Sequence, residues 1–374
     1  GGLRNALNGG YGLPKVGGDS QRNSSVYPMG RNIYEFDPRL IPSTTAQSVG
    51  QVMAQEVLER YKASHDSYPE TIGTVLWGFE TVKTGGDTIA QILSWLGVKV
   101  ISKVNNPWFK DLQLIPLEEM GRPRIDVLIT ICGIFRDLFR PQIELLNRAV
   151  KLAAEADEPI EQNFVRKHYL AMREQQGEIA GARIFGPSSS EYGNSVADRV
   201  QDGNWREESE LEDAYDQDMC HAYWAENTAA WAGETNPASE VFKNLSSTIE
   251  LVTQERDSSE YEVTDLNHYY EFFGGLANSV RENRGEVPEQ WIVDSTDANL
   301  EVEDVDKVIG RASRTRTLNP AWIDGMLAHD FHGAQKVAER VENLLGLQST
   351  TGKVDNWIFE ETVQTFMFDD EMRQ

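Results

Sequence analysis

The sequence predicts an α/β fold, with a parallel-sheet α/β layer in the first half followed by a mainly helical, irregular second half. Strand-like apolar runs at residues 72–77, 98–101 and 125–131 alternate with segments whose apolar residues follow a helical period. A succession of strand, helix and strand is typical of parallel sheets with right-handed crossovers. The second half is more helical and less regular, so a single regular layer is not expected to extend through it.

Helices are predicted where apolar residues recur every three or four positions. Asp87 is the expected N-cap of one helix, and Gly97 is expected to end it. Gly346 is expected to end the last long helix. The predicted helices cover residues 46–64, 87–96, 141–155, 239–253 and 334–345.

Three parts are predicted along the chain. Residues 1–68 form a Gly/Pro-rich loop and a helix that packs on the core, and residues 69–190 form an α/β domain. Residues 191–374 form a mainly helical C-terminal region that contains the candidate site. The boundary is expected near 190–205, after the Gly-Pro-Ser-rich stretch at 186–190.

Composition excludes some classes of function. The 374 residues carry a formal net charge of −25, which argues against a nucleic-acid partner because a phosphate backbone requires a basic face. The acidic runs at 207–213 and 301–306 are expected to be solvated surface, although a salt-adapted host or a basic partner also suits them. The sequence contains no run of 18 or more apolar residues, so no membrane span is predicted. Cys132 and Cys220 are too few for a disulfide framework and fit a reducing compartment.

The strongest candidate for proton and metal chemistry lies at residues 265–271. Asp265, His268 and Glu271 place two carboxylates and an imidazole within seven residues, among four aromatic rings. His268 and Glu271 are three apart, so on a helical turn they share a face and converge on one ion. The glycines at 274 and 275 allow a flat ligand to approach the backbone. The alternative is the start of a helix, capped by Asp265, with the aromatic residues in the core.

A second group of candidates follows the predicted strands. In open α/β sheets, ligands bind beyond the carboxyl ends of the strands. Trp77, Glu80 and Lys83 come after the first predicted strand, and Cys132, Arg136 and Asp137 come after the third. Trp77 and Trp108 have rings suited to stacking on a flat ligand, but large aromatic side chains near strand ends are also typical of a core.

Arginines supply the candidate anion contacts. Arg311, Arg314 and Arg316 precede Asn319 in a strongly acidic chain, and they predict an anionic partner unless the chain's own acids, such as Glu303, neutralise them. The irregular segment 17–34 is rich in Gly and Pro and carries Arg22 and Arg31, so it is either a binding loop or a strap packed over the domain. Two weaker candidates for a metal site are His329 with His332 and Cys220 with His221. Surface positions are favoured for these histidines.

Several motifs are absent from the sequence. Neither Gly17-Gly18 nor Gly85-Gly86 belongs to a P-loop or a dinucleotide-binding fingerprint. Metal-binding Cys-x-x-Cys, His-Glu-x-x-His and EF-hand motifs are missing as well, which argues against a permanent structural zinc or calcium site. If ATP is used, another subunit is expected to bind it.

A series of motifs resembles the large tetrapyrrole-binding subunit of metal chelatases, the family of the magnesium chelatase H subunit and the cobaltochelatase large subunit. The blocks occur in family order over nearly the whole chain, which is expected to match only the C-terminal part of that longer subunit. They are residues 17–23, 28–34, 77–87, 121–127, 135–137, 155–159 with Asn163, 318–323 and 369–373.

The resemblance implies an activity and partners. It implies that the large chain binds a porphyrin while an AAA+ ATPase motor and its adaptor subunit drive insertion of Mg²⁺, with both Mg²⁺ and the porphyrin as substrates and no tightly bound cofactor. It places the protein in the cytoplasm, or in the plastid stroma of a phototrophic eukaryote. His268 and Glu271 are then the expected base and metal relay, supported by Asp265. The expected ring and propionate contacts are Arg22, Trp77, Glu80, Arg314, Arg316 and Asn319.

The choice of metal rests on a few segments. Residues 155–168 and 354–360 are closer to the magnesium branch than to the cobalt branch. Lys15-Val16, Met29 and Glu271 depart from the usual family pattern, and Glu271 stands where relatives carry Asp or Gln. The alternatives are a cobaltochelatase subunit that acts on a corrin ring and a non-catalytic tetrapyrrole-binding scaffold.

Overall fold

The chain folds around a twisted central sheet that is mostly parallel. The computed structural model describes residues 2–12, 15–16, 26–28, 30, 32–34, 37–103, 106–224, 238–297 and 299–368. Eleven strands lie within these residues: β1 Lys15–Val16, β2 Asn32–Tyr34, β3 Thr71–Leu76, β4 Val98–Lys103, β5 Asn106–Leu114, β6 Asp126–Ile131, β7 Ile184–Gly186, β8 His221–Ala222, β9 Ile249–Arg256, β10 Glu289–Asp294 and β11 Glu301–Asp304.

The central sheet has seven strands in the described residues, in the order β11-β10-β9-β3-β6-β7-β8. The five inner strands pair in parallel, and β11 and β8 add antiparallel edges. The carboxyl ends of the inner strands therefore lie along one edge of the sheet. The predicted α/β class with a parallel layer and a more helical later region is confirmed.

The predicted strand at 98–101 lies outside the parallel layer. It is part of β4, which pairs antiparallel with β5 in a separate two-stranded sheet, Val98 opposite Leu114. Only two residues separate the two strands, which suits a hairpin, whereas a parallel pair needs a crossover of about a dozen residues.

The helix predicted at 239–253 was wrong in its second half. Ser239–Ser246 is helical, but Ile249–Arg256 is β9, beside β3 at the centre of the sheet. Ile249, Leu251 and Val252 are fully buried. Because β9 is buried on both faces, its apolar and polar residues do not alternate regularly, so periodicity alone does not separate this strand from a helix.

The helices cover the sheet and extend over the later region. One buried apolar cluster reaches from Ile41 to Ile358 and contains residues of all three predicted parts. No helix in the described part of the chain is long and apolar enough to cross a membrane. The helices are α1 Gly2–Leu7, α2 Thr44–His65, α3 Gly78–Thr84, α4 Asp87–Leu96, α5 Leu117–Met120, α6 Gly133–Leu138, α7 Arg140–Glu155, α8 Phe164–Gln176, α9 Val196–Asp202, α10 Glu208–Met219, α11 Ser239–Ser246, α12 Gly275–Arg284, α13 Val305–Ala312, α14 Pro320–Leu327, α15 Asp330–Thr351 and α16 Asn356–Val363.

Two predicted helix ends need correction. Asp87 is the first residue of α4 rather than its N-cap, which is Gly86, whereas Gly97 ends the helix with a φ of 68° as predicted. Gly346 does not end α15, which continues to Thr351 and stops at Gly352. Gly346 serves close packing instead, because a Cβ there would meet the Tyr270 ring at 2.6 Å.

Candidate functional site

The carboxyl edge of the central strands collects the candidate side chains. Trp77 follows β3, and Asp257 follows β9. The segment after β9 then leads into a π-helical turn, Tyr269–Gly274, whose N-cap is His268. The site predicted around residues 265–271 therefore lies at the edge where parallel sheets bind ligands.

The π-helical turn buries Glu271. Tyr270, Phe272 and Phe273 of the turn are almost fully enclosed, and Tyr270 lies against Gly346 of α15. π turns are rare and frequent at functional sites. The alternative of an ordinary helix start was wrong about a cap by Asp265, because His268 precedes the turn and the Asp265 carboxylate accepts from the Glu262 N–H. Its other part, that the aromatic residues lie in the core, is confirmed.

His268 and Glu271 form a dyad. Nδ1 of His268 lies 3.0 Å from Oε2 of Glu271. The imidazole is 53% exposed, whereas the carboxylate is 8% exposed. A buried carboxylate that orients a half-exposed imidazole leaves Nε2 facing outward, available to a proton or a metal ion.

Trp77 forms an aromatic wall of this dyad. Its ring centroid lies 5.3 Å from that of His268 and 4.7 Å from that of Phe272, edge-on. The Trp77 indole nitrogen is buried without a hydrogen-bond partner among the described residues. The structure thus brings together three of the predicted site residues, Trp77, His268 and Glu271.

Asp265 is held in a separate ion-pair network. Its fully enclosed side chain contacts Arg316 and also Nε of Arg340, the latter at 2.8 Å. Arg316 donates in addition to the carbonyls of Ser259 and Glu260. Two of the predicted site residues are thus paired with each other, and this network fixes the loop that leads from β9 to the dyad.

Glu80 lies inside the protein rather than on the ligand-facing surface. It is 5% exposed and hydrogen-bonds through its carboxyl to Glu255 at the end of β9. Thr84 donates to Glu80, and Thr88 and Ser295 donate to Glu255. Burial, followed by the charge of Glu255, raises the pKa of Glu80 well above its usual value.

The remaining arginine candidates diverge. Arg311 pairs with Glu303, so one of the chain's own acids neutralises it. The Arg314 guanidinium lies 4.2 Å from the centre of the Trp357 ring. Asn319 caps α14 through its side-chain oxygen and donates to the Thr315 carbonyl. These residues do not form one anion site.

Other predicted positions are peripheral or outside the described residues. His329 and His332 are exposed at the start of α15, and Cys132 and Cys220 are buried free thiols. Arg22, Arg31 and residues 369–373 lie outside the described residues, as does the side chain of Trp108. Within the described ranges, no group of three or more His, Cys, Asp or Glu side chains is arranged to hold a metal ion.

Sequence reasoning missed Gly193, Asn194 and Glu255. The first two contact Glu271 from a loop almost 80 positions earlier in the chain, and a Gly-Asn pair by itself predicts only a turn. Glu255 was missed because most of the strand that carries it, up to residue 253, had been assigned to a helix. The available signal was the change from the largely apolar residues 249–252 to the polar residues Thr253 to Arg256.

Comparison with known proteins identifies the family. The CobN/Magnesium Chelatase family model matches residues 1–374. The chain is 38% identical to the chloroplastic magnesium-chelatase subunit ChlH of Oryza sativa subsp. japonica, over 100% of the chain and 27% of that protein. It is 36% identical to the magnesium chelatase H subunit of Rhodobacter capsulatus, over 100% of the chain and 31% of that protein.

A solved structure supports the same conclusion. The catalytic subunit of cobaltochelatase from Mycobacterium tuberculosis matches with a TM-score of 0.86 and 30% sequence identity, over 92% of this chain and 29% of that one. The chain belongs to the CobN/magnesium chelatase family. It spans less than a third of the length of these relatives, so the prediction that it matches only part of a longer subunit is confirmed.

Proposed function

We propose that this chain is part of the porphyrin-binding large subunit of an ATP-dependent magnesium chelatase, which inserts Mg²⁺ into protoporphyrin IX for (bacterio)chlorophyll biosynthesis. The observation that carries the proposal is the dyad of His268 and Glu271 beside Trp77, at the carboxyl edge of the sheet. Membership in the family supports the reaction class. The segments 155–168 and 354–360 favour magnesium.

The dyad suits the proton chemistry of metal insertion. Insertion of a divalent ion removes two protons from the ring nitrogens, so the site must accept protons one after the other. With Nδ1–H directed at Glu271, Nε2 of His268 accepts a ring proton, and the resulting imidazolium is stabilised by the adjacent carboxylate. Release of this proton to solvent through the exposed imidazole restores the base for the second proton.

The same dyad suits transfer of the ion. Mg²⁺ is bound by oxygen ligands and gives up its waters reluctantly. Glu271 supplies an oxygen and His268 a nitrogen, which replace water molecules while the ion moves to the ring. Mg²⁺ is a substrate here, and no tightly bound cofactor is proposed.

Trp77 is the proposed stacking surface for the ring. Its position against His268 places an aromatic face next to the proposed base. The proposed propionate contacts remain Arg22, Arg314, Arg316 and Asn319. Of these, Arg316 must leave its ion pair with Asp265 before it contacts a propionate. Asp265 and Glu80 remain proposed supporting carboxylates.

ATP hydrolysis is assigned to partners. The chain's sequence lacks a P-loop, so we propose that an AAA+ motor subunit and its adaptor supply the energy that bends the ring and strips the ion. The proposed location is the cytoplasm, or the plastid stroma in a phototrophic eukaryote.

A second candidate is insertion of Co²⁺ into a corrin ring. A solved cobaltochelatase subunit is similar to this chain at 30% sequence identity, whereas the two magnesium-chelatase subunits named above are 38% and 36% identical to it. The same base and relay serve both reactions, since both replace ring protons by a divalent ion. A third candidate, a scaffold that binds the ring without chemistry, predicts that the dyad is dispensable for turnover.

Fluorescence titration of this chain with protoporphyrin IX, beside a metal-free corrin, tests the ring specificity. Selective, saturable binding of the porphyrin supports the magnesium proposal, and selective binding of the corrin overturns it in favour of cobalt. A reconstituted chelatase assembly containing this sequence then tests the chemistry. A His268→Ala, Glu271→Gln double variant should bind the ring normally and insert metal at least about 100-fold more slowly. Native turnover by this variant would refute the site.

A further inference from the structure

The loop at residues 193–195 contacts the second oxygen of the Glu271 carboxylate. The Asn194 N–H donates to Oε1 of Glu271 at 3.2 Å, and the Asn194 side-chain amide donates to the Glu271 carbonyl, also at 3.2 Å. His268 meets the other carboxylate oxygen, Oε2. Glu271 is therefore held on both sides, by the imidazole that it orients and by a loop distant in sequence.

We propose that Gly193 and Asn194 are positioning residues for metal insertion, which fix the Glu271 carboxylate so that it orients His268. The inference rests on the proposed function for its catalytic consequence. Its structural part, the orientation of the imidazole by this loop, stands on the contacts alone.

Gly193 supplies the space that the carboxylate occupies. A Cβ at position 193 would lie 2.4 Å from Oε1 of Glu271, closer than real Cβ contacts come. The backbone of Gly193 is not in the left-handed region, so alanine is disfavoured there by space and not by strain. Because Glu271 is buried in the π-helical turn, its carboxylate has to rotate when the space is filled, and rotation breaks its contact with His268.

The loop is itself fixed to the rest of the fold. The Ser195 N–H and hydroxyl both donate to Oδ2 of Asp218 on α10, at 2.8 and 2.7 Å. Oδ1 of Asn194 accepts from the Val196 N–H at the start of α9. The Asn194 side chain thus bonds with both its oxygen and its nitrogen, which leaves it little freedom to turn away from Glu271.

The other end of the loop is fixed by residues that follow β6. The Gly133 N–H donates to the Tyr192 carbonyl at 2.9 Å. The Arg136 guanidinium donates to the carbonyls of Ser188 and Glu191 at 2.7 and 2.9 Å, and it lies over the Tyr192 ring. The carboxyl end of β6 therefore positions the loop, and the loop positions the dyad that follows β9.

The test uses three variants of this chain and one matched control. Gly193→Ala fills the space beside Glu271. Asn194→Ala removes both side-chain contacts. Asn194→Ser retains an oxygen able to cap α9 but loses the amide that donates to the Glu271 carbonyl, and it covers the case in which Asn194→Ala does not fold. Gly325→Ala is the control, because a Cβ at Gly325 meets nothing within 4 Å.

The first measurement is independent of turnover. Long-range ¹H–¹⁵N NMR of the ligand-free chain at about pH 9, where imidazoles are neutral, reports which ring nitrogen of His268 carries the hydrogen. His268→Ala assigns the signals. We expect wild type and Gly325→Ala to show the Nδ1–H form, and Gly193→Ala and Asn194→Ser to lose its predominance. Unchanged His268 signals in both loop variants would overturn the proposal.

Turnover is the second measurement. In a reconstituted chelatase assembly, we expect the loop variants to lower kcat by about 10-fold or more while the KM for the ring changes less than about 2-fold, because outer-shell partners of metal-site residues typically contribute about 10- to 100-fold. A higher KM with native kcat would refute positioning. If wild type inserts no metal while the loop variants still alter the His268 signals, the proposed function fails and the orientation of His268 by the loop stands.

Discussion

Glu80 on α3 and Glu255 at the end of β9 bond to each other through their carboxyl groups inside the protein. The neighbouring charges that act on Glu80 come from further acids, Glu255, Asp257 and Asp87. Two carboxylates in contact repel unless one is protonated. Burial also raises the pKa of Glu255, whereas its hydrogen bond with Glu80 lowers it. The pair therefore shares a proton, and it links α3, which follows Trp77, to the centre of the sheet.

This pair makes stability dependent on pH. A carboxyl group whose pKa is raised by folding binds a proton more tightly in the native state, so its contribution falls as the pH rises from the unfolded value of about 4.3. We expect the free energy of unfolding to decrease as the pH rises above that unfolded value, and Glu80→Gln to weaken this decrease by about 1 kcal/mol or more. Urea unfolding at a series of pH values measures it. Glu118→Gln, an exposed acid on α5, is the control; equal pH dependence in both variants would contradict the shared proton.

Glu212 on α10 is expected to titrate near neutral pH. Burial, and then the adjacent Asp216, raises its pKa to about 8. Ser279 and Asn283 of α12 donate hydrogen bonds to the Asp216 carboxylate. Carboxyl ¹³C NMR should therefore show a glutamate that titrates with a midpoint of about 8, lost in Glu212→Gln. The protonated form predominates below that midpoint, so raising the pH through it destabilises the protein. A normal midpoint for Glu212 would show that the two carboxyls do not interact.

Gly346→Val is expected to disturb the π-helical turn from the side that packs against α15. The added side chain would overlap the Tyr270 ring, because three atoms of that ring lie 2.6 to 2.7 Å from the Cβ position. We expect a loss of about 1–3 kcal/mol in the free energy of unfolding, as in other overpacked cores. Leu345→Ala, at a half-exposed position next to it on α15, is the control and should cost less. Denaturant unfolding compares the two; a smaller loss for Gly346→Val would mean that α15 moves freely against the turn.

The net charge of −25 predicts stabilisation by salt. Repulsion between acidic surface groups opposes the compact state, and the screening length falls from about 10 Å at 0.1 M to about 3 Å at 1 M salt. We expect the melting temperature to rise by about 3 °C or more between 0.1 and 1 M KCl, which calorimetry measures. A variant in which the exposed acids Glu207, Glu208 and Asp213 are changed to their amides should gain less from salt. A melting temperature that falls with KCl would show that ion pairs such as Lys167 with Glu70 outweigh the repulsion.

The sequence predicted the parts of the fold that depend on local chemistry. β3 and β6 are short apolar runs, each with a glycine two residues beyond its end, and α2 and α7 have clear apolar faces, so their positions were predicted to within a few residues. The location of β9 was not predictable in this way, because a strand buried on both faces has no period. β4 was assigned as a strand correctly but to the wrong sheet, since pairing depends on the loop that follows and not on the strand.

The candidate site was likewise predictable only where local sequence determines the contacts. His268 and Glu271 are three residues apart, and their pairing followed from spacing; Trp77 was expected at the edge of the sheet, but its contact with His268 was not. The pairing of Asp265 with Arg316 and Arg340 joins residues 51 and 75 positions apart. Such contacts are set by how α13 to α15 pack on the loop after β9. A single sequence does not contain that packing, so it left open whether the arginines bind an external anion or the chain's own acids.

The pairing of β3 with β9 has a consequence for biosynthesis. Thr74 and Thr253, hydrogen-bonded across these strands, are 179 residues apart. During translation, β3 leaves the ribosome long before its neighbour exists, with one apolar edge open to other nascent chains. Because the middle of the sheet closes late, we expect the chain to fold slowly. Chaperones that bind extended apolar segments should therefore increase the yield of folded protein more than a lower synthesis temperature alone.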